Sequence, residues 1–319
     1  MWKAVLLTAV FALTVAAALT GGAEFVSFPV LFSPEYETIL RLRLERLACA
    51  GLVGGALAVA GVACQAVLRN VLAEPYVLGI SGGSSLGAAL AILAGFSATN
   101  ALALPAGAFI GALTVLAIVV IPAGRSGGDF GNTALLAGVI TGSVCGSVLM
   151  LMISVMGNTQ LNSIVWWLLG NLQSRDGAML WPAAGIIFAG FTVLFLFSRE
   201  TNALALGGEM AHHFGVSPRR TAQLLLVTAS LLTACAVSLA GIIGFVGLLV
   251  PHVMRRFVGA DHRRLYPASL LGGAWFLIGC DLAARMVYTA QELPVGVVTA
   301  LTGGPFFLYL LLAKRRPAQ

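Results

Sequence analysis

The residue types that perform most enzyme chemistry are sparse in this sequence and do not cluster. Lysine occurs only at Lys3 and Lys314, so no G-x-x-x-x-G-K-[ST] phosphate-binding loop can be written anywhere in the chain. There is no H-E-x-x-H motif, and no group of carboxylates, histidines or cysteines converges within the apolar stretches. The sequence therefore predicts neither ATP hydrolysis through such a loop, nor a metal site, nor a cofactor.

The cysteines lead to the same conclusion. Cys49, Cys64, Cys145, Cys235 and Cys280 all fall in apolar stretches, are odd in number and form no C-x-x-C pair. Such a pattern indicates neither a disulfide framework nor a zinc site. We expect buried free thiols.

The composition shows which elements must hold the remaining candidate residues. Hydrophobic residues make up 59% of the 319 and charged residues only 9%, whereas a soluble domain is about one quarter charged. A membrane-spanning helix needs roughly 20 apolar residues, and ten stretches qualify. They lie at 4–23, 45–67, 77–96, 102–122, 133–156, 178–198, 221–241, 243–258, 267–289 and 294–313. The sequence predicts an all-α, multi-pass membrane bundle of about ten helices, forming one domain over 1–319.

The basic residues predict the orientation of this bundle. With both termini in the cytoplasm, only Arg41, Arg43, Arg46, Arg175 and Arg285 of the 18 basic residues fall outside the cytoplasmic set. This bias follows the positive-inside rule. The net charge of +6 is therefore interpreted as arginine on cytoplasmic loops, and no nucleic-acid partner is expected. The first 23 residues also have features of a signal peptide, but a retained first helix fits better because many spans follow.

Three segments carry a family resemblance. The first reads G-G-A-L-A-V-A-G at 54–61, N-V-L-A-E-P at 70–75 and L-G-I-S-G-G at 78–83. The second reads G-I-I-G-F-V-G-L-L-V-P-H at 241–252, and the third runs from E-L-P-V-G at 292–296 to G-G-P-F at 303–306. Together, in this order, they resemble the FecCD/BtuC-type permeases, the membrane subunits of ABC importers for iron-siderophores, haem and cobalamin.

The resemblance implies a BtuC-like fold and a set of partners. The implied partners are a cytoplasmic ABC ATPase subunit, a periplasmic substrate-binding protein, a second permease copy in a homodimer, and the lipid bilayer of the inner (plasma) membrane. Two positions depart from the family pattern, since Glu45 and Val71 stand where the family has proline. The chelate is left open among the three classes.

The longest cytoplasmic connection, 199–220, resembles the coupling helices that contact the ATPase. Met210 and Phe214 recur at i and i+4 as an apolar ridge, while the glycines and Pro218 delimit one or two short helices. The alternative is a helix lying on the membrane surface. His212 and His213 are adjacent and point to different sides, so they do not form a metal pair. The residues predicted to couple to the ATPase are Leu206, Gly207, Glu209, Met210, Phe214 and Gly215.

Three arginines resemble the residues that receive the binding protein. Arg43 and Arg46 flank the outer end of the second span, and Arg285 lies near the end of the ninth. For Arg285 the alternative is internal pairing, because Asp281 lies four residues earlier on the same helix face.

Small and polar residues indicate the translocation path. The run at 79–85 favours a broken helix, which makes Ser81, Ser84 and Ser85 candidate path residues. The family resemblance adds the fifth and tenth spans, with Ser143, Ser147 and the 294–306 stretch. It also implies a cytoplasmic gate near the loop from Gly124 to Thr133, with Gly131 and Asn132 as the gate residues. The repeat Gly138, Gly142, Gly146 is interpreted mainly as a helix-packing face.

Two other function classes compete with an ABC importer permease. An ion-coupled secondary transporter needs ionisable groups within its spans, and Asp281, already paired in sequence with Arg285, is the only deep candidate. A membrane-embedded enzyme lacks a catalytic motif.

Overall fold

The computed structural model describes residues 2–22, 26–31, 33–96, 100–125, 130–173, 177–287 and 292–313. Arg175, Lys314, Arg315 and Arg316 lie outside these ranges, as do residues 126–129 of the predicted gate loop. Within the described ranges the chain forms helices and connections, with no strand. The helices are α1 (Trp2–Thr20), α2 (Phe28–Leu31), α3 (Glu37–Val67), α4 (Ile80–Leu93), α5 (Ala103–Arg125), α6 (Phe130–Val155), α7 (Asn158–Leu168), α8 (Leu180–Leu196), α9 (Ser198–Ala205), α10 (Gly208–His213), α11 (Pro218–Ala240), α12 (Val246–Val258), α13 (His262–Met286) and α14 (Val295–Ala313).

The predicted all-α membrane bundle is confirmed. Among the described residues, six helical stretches are long and apolar enough to cross a membrane, and shorter apolar helices accompany them. Each of the ten predicted spans corresponds to one helix: α1, α3, α4, α5, α6, α8, α11, α12, α13 and α14. We name the ends of the bundle by the predicted orientation, so that the outer end is where α1 and α13 finish.

The predicted eighth span is the exception in length. Its first residues are not helical, and α12 has 13 residues, which gives a length of about 20 Å. The apolar core of a bilayer is about 30 Å thick, so α12 crosses only part of it. The missing length is supplied by the irregular segment 241–245.

Helix α3 is the centre of the bundle. Every residue from 53 to 67 is buried, and α3 packs against α11, α12 and α13. The buried side chains are small, mainly alanine and valine, so neighbouring helices approach closely. All five cysteines are buried free thiols, as predicted.

Pairs of facing glycines form the tightest crossings. A β-carbon on Gly54 would collide with the backbone of Gly273 on α13, and one on Gly61 would collide with the carbonyl of Gly247 on α12. Helices α4 and α5 meet in the same way through glycines on both sides: Gly83 and Gly87 against Gly107 and Gly111. Without side chains at these points, backbones touch, as membrane helices packed by dispersion forces require.

The predicted break in the Gly/Ser run at 79–85 is present, but only at the first residue of the run. Helix α4 is continuous from Ile80, because Gly83 and Gly87 serve the crossing with α5 rather than loosening the helix. The break is at Gly79, whose φ of 78° lies in the left-handed region that glycine tolerates. A β-carbon there would lie 2.7 Å from the Gly138 carbonyl oxygen.

The packing interpretation of the α6 glycines is confirmed for two of the three. Gly138 lies against the backbone of Leu78, and Gly142 against Gly79. At Gly146, a β-carbon would meet no atom of the described residues within 4 Å.

Candidate functional site

The first two motif segments meet and hold one another. The Glu74 carboxylate Oε1 accepts a hydrogen bond from the Phe245 backbone N–H at 2.7 Å. The Tyr76 hydroxyl donates to the Ile243 carbonyl at 3.0 Å and accepts from the Ile243 N–H at 3.3 Å. We call this contact between residues 74–78 and 241–245 the loop clamp.

The loop clamp satisfies backbone groups that membrane depth would otherwise leave exposed. Residues 241–245 are not helical, and irregular backbone within a membrane is tolerated only where protein or water satisfies it. Glu74 also places its carboxylate at the start of α12, where the helix dipole favours negative charge. Phe245, the residue before α12, has a φ of 68°, which is disfavoured for a bulky side chain.

Close backbone contacts hold the other side of this irregular segment. The Asn171 N–H donates to the Ala240 carbonyl at 2.8 Å, and Gly241 faces the Trp167 carbonyl with no room for a β-carbon. Gly296, at the start of α14, is equally close: a β-carbon on it would collide with the Ile242 carbonyl oxygen. The irregular segment is therefore enclosed by α7, α14 and the loop clamp.

An ion-pair network occupies the outer end of α3 and α13. Asp281 accepts from Arg46 Nε at 2.8 Å through Oδ1 and lies 3.1 Å from Arg285 Nε through Oδ2. Arg46 Nη1 also contacts Glu292 Oε2 at 2.7 Å, and the Gln173 amide donates to the same oxygen at 2.7 Å. We call these five residues the outer network.

Burial makes the outer network a structural element as well as a charge cluster. Only 4% of the Asp281 side chain and 6% of the Arg285 side chain are accessible. Burial by itself would raise the pKa of the Glu292 carboxyl, but hydrogen bonding and charge attraction from Arg46 lower it overall. The predicted Asp281–Arg285 pairing is present, so Asp281 is not a free carboxylate available for ion coupling.

The outer arginines also bind the end of α1. Arg285 donates to the carbonyl oxygens of Gly21 at 2.9 Å and Ala18 at 3.1 Å, and Arg43 donates to Leu19 at 2.5 Å. The last carbonyls of a helix lack partners within the helix and carry partial negative charge. Two guanidinium groups thus cap α1, while Arg41 and Glu45 form a separate surface pair at 3.0 Å.

The predicted coupling residues lie between α9 and α10, within α10 and directly after it, at the cytoplasmic end. Gly207, with a φ of 121°, separates α9 from α10, and Gly215, with a φ of 76°, follows α10. The apolar side chains of Leu206, Met210 and Phe214 are 65%, 46% and 62% exposed. We call these three residues the coupling ridge; Glu209 is exposed beside it.

Comparison with known proteins agrees with this architecture. The model of the FecCD transport family matches residues 4–313. The chain belongs to the FecCD transport family. The hemin transport system permease protein HmuU of Yersinia pestis is 38% identical over 304 residues, covering 92% of this chain and 90% of that protein. The cobalamin import system permease protein BtuC of Halobacterium salinarum is 41% identical over 270 residues, covering 85% and 72%.

A solved structure of an inward-facing ABC transporter of the metal-chelate type shares the fold. Its TM-score is 0.88 at 30% identity, and the match covers 96% of this chain and 97% of that one. PsaBC from Streptococcus pneumoniae, at a TM-score of 0.56 and 18% identity, shares the fold alone. The chain is thus an ABC importer permease, a transport subunit and not an enzyme.

The predicted path residues occupy two different environments in this chain. Ser143 and Ser147 are exposed on α6, and each hydroxyl donates to the carbonyl four residues earlier, so their polar groups are satisfied whatever they face. Ser84 and Ser85 are buried, and Ser81 is partly buried beside them. These three therefore face helix contacts here.

The predicted gate residues lie in the first turn of α6. Gly131 is buried and Asn132 is exposed in its first turn, next to residues outside the described ranges. In α14, Thr302 is exposed and its hydroxyl donates to Val298 at 2.9 Å.

Several features of this site were not predicted from the sequence. Helix α7 was not assigned, and it forms one wall of a cavity of about 750 Å³ near the outer end, which Gln173 and Glu292 also line. The partners of Glu74 and Glu292 were missed as well, although both residues belong to the quoted motifs. Their acidic character within otherwise apolar motifs was the available signal.

Proposed function

We propose that this permease imports a metal chelate of the haem, cobalamin or ferric-siderophore class. HmuU and BtuC, by their names, carry hemin and cobalamin, which supports this substrate range. In the described residues no group of metal-ligating side chains is found, and a chelate that keeps its own ligands needs none. The work is divided among a binding protein outside, a permease homodimer in the inner membrane, and an ATPase subunit inside.

The coupling ridge is the observation that supports energy coupling to an ATPase subunit. Three large, exposed apolar side chains on a cytoplasmic connection fit the groove of a partner protein better than they fit water. The ridge runs from the residue after α9 to the residue after α10, and these two short helices pack against one another, so it forms a compact surface. We assign this surface to the ATPase subunit.

Aspartate substitutions on the ridge test the assignment. Met210→Asp or Phe214→Asp should abolish both uptake and co-purification of the ATPase, because each places a charge in an apolar contact. Ser217→Asp, an exposed position in the same connection, is the matched control and should keep both. Undiminished co-purification and substrate-stimulated ATP turnover in the two ridge variants would contradict the assignment.

The outer end is proposed to receive the binding protein through Arg43, Arg46 and Arg285. These residues lie together at this end, which supports a joint role, while their internal bonds mean that they also hold α1 and α13. Capture of the binding protein across a salt series tests docking. Reversal of Arg43 and Arg46 to glutamate should weaken capture at low salt, and salt should weaken wild-type capture by screening. Salt-independent capture that is unchanged by the reversal would leave these arginines with a structural role alone.

A further inference from the structure

A second cavity, which we call the inner pocket, opens at the cytoplasmic end. Its volume is about 500 Å³. It lies among the ends of α3, α9 and α12 and the start of α13. Its polar lining residues are Gln65, Arg69, Asn202, Arg255, Asp261 and His262.

Positive charge dominates the inner pocket. Arg69 and Arg255 contribute two guanidinium groups, and Asp261 is the one carboxylate among the lining residues. Asp261 Oδ1 already accepts from the Asn202 amide at 2.8 Å and from the backbone N–H of Arg263 at 3.1 Å. The pocket is therefore suited to an anion.

Arg69 stands at a position that normally favours glycine. It follows α3 with a φ of 48°, and the helix end is closed by a bond from the Asn70 N–H to the Gln65 carbonyl at 3.2 Å. This left-handed position beyond a helix end is usually glycine, because a β-carbon is disfavoured there. An arginine at this point is explained if its exposed side chain has a use.

Arg255 is oriented by its neighbours. Its Nη1 donates to Gln65 Oε1 at 2.7 Å, and the amide of Gln65 donates in turn to the Gly247 carbonyl at 3.2 Å. This contact uses one of the five N–H groups of the guanidinium. A planar guanidinium fixed in this way is well arranged for a carboxylate.

The wall of the inner pocket identifies the source of that carboxylate. Leu206 lines the pocket and is also the first residue of the coupling ridge. A protein that covers the ridge thus places its adjoining side chains over the pocket. We propose that the inner pocket receives an aspartate or glutamate side chain of the ATPase subunit, bound between Arg69 and Arg255. This inference rests on the proposed function and adds a charged contact beside the apolar one.

Binding of the purified ATPase subunit to the permease in nanodiscs tests the proposal. In nanodiscs of phosphatidylcholine alone, Arg69→Gln combined with Arg255→Gln should weaken binding about tenfold, since loss of a paired charge leaves its partner unmatched. Arg264→Gln, which removes an exposed arginine that does not line the pocket, should bind as wild type does. Arg255→Lys, which keeps the charge, should recover part of the loss.

Separate outcomes would overturn the pocket proposal and the coupling ridge. If the double variant binds within about twofold of wild type while Met210→Asp does not bind, the pocket proposal is wrong and the ridge stands. If Met210→Asp also binds normally, the ridge assignment fails as well.

Two further measurements guard against a lipid occupant and against misfolding. If the double variant differs from wild type only in nanodiscs containing phosphatidylglycerol, the pocket holds a lipid headgroup and the proposal is wrong. Because Arg255 also bonds to Gln65, the unfolding temperature of each variant is measured. Should the double variant be destabilised, Arg69→Gln alone carries the test, and wild-type affinity there would overturn the proposal.

Discussion

Asp281 should contribute more to stability than any surface charge at the outer end. Its two carboxylate oxygens contact Arg46 at 2.8 Å and Arg285 at 3.1 Å, and all three side chains are largely inaccessible to water. Asp281→Asn keeps the shape but leaves the buried Arg285 guanidinium without its countercharge and Arg46 with Glu292 alone. Removal of one partner from a buried ion pair costs about 3 to 5 kcal/mol, and we expect a loss of unfolding free energy in this range.

The chain offers a matched control at the start of α3. Arg41 and Glu45 are 3.0 Å apart, and the Arg41 side chain is 78% exposed while that of Glu45 is 19% exposed. With one partner in water, the pair resembles surface pairs, which contribute about 0 to 1 kcal/mol. Glu45→Gln should therefore have little effect. Both variants are measured by reversible unfolding in mixed detergent micelles, followed by tryptophan fluorescence.

The comparison separates two roles for Arg46 and Arg285. Equal, small losses for Asp281→Asn and Glu45→Gln would refute the argument that burial makes the outer network a structural element. If the loss is large, a docking defect in an Arg46 variant has to be corrected for loss of folded protein before it is assigned to the binding protein.

Three further predictions concern packing, pH and the loop clamp. Gly61→Ala should sharply reduce the yield of folded permease, because its β-carbon would collide with the α12 backbone. Gly146→Ala should be tolerated, because a β-carbon there meets no atom of the described residues. The yields of the two variants are compared by size-exclusion chromatography in detergent. Glu292 has a pKa lowered from its ordinary value of 4.5, so its contribution to stability is present at neutral pH and lost as the pH falls through the lowered value. Glu292→Gln should then be less stable at pH 7 and show a flatter acid limb when unfolding is measured against pH. Glu74→Ala leaves the Phe245 N–H without its acceptor and should lower the unfolding free energy by about 1 to 3 kcal/mol, while Glu74→Gln, which keeps an acceptor, should lower it less in the same unfolding assay.

Hydropathy predicted the membrane helices because each one must be apolar along its own length. The same logic placed the glycine hinges around α10, since the short connection has its own turn residues. For the run at 79–85 it predicted a broken helix, whereas only Gly79 departs from helical geometry, because Gly83 and Gly87 contact Gly107 and Gly111 on another helix. Local sequence does not distinguish a glycine that breaks a helix from one that lets two helices touch.

The candidate site was predictable only where its contacts are local. The pairing of Asp281 with Arg285 follows from a spacing of four residues on one helix. Arg46 contacts Asp281 and Glu292, which lie 235 and 246 residues away in the sequence. The periodicity of a single sequence does not predict contacts between residues so far apart. The glutamate of the first motif and the start of α12 are joined in the same long-range way.

The loop clamp has a mechanical consequence for transport. On one side, Leu78 is seated against Gly138 of α6, and on the other, Phe245 lies with its side chain against Gly303 of α14. The two helices proposed to line the path thus both contact the loop clamp. Each does so at a glycine, which has no side chain that could move to absorb a displacement. We therefore expect a displacement of the loop clamp to shift α6 and α14 together rather than one at a time.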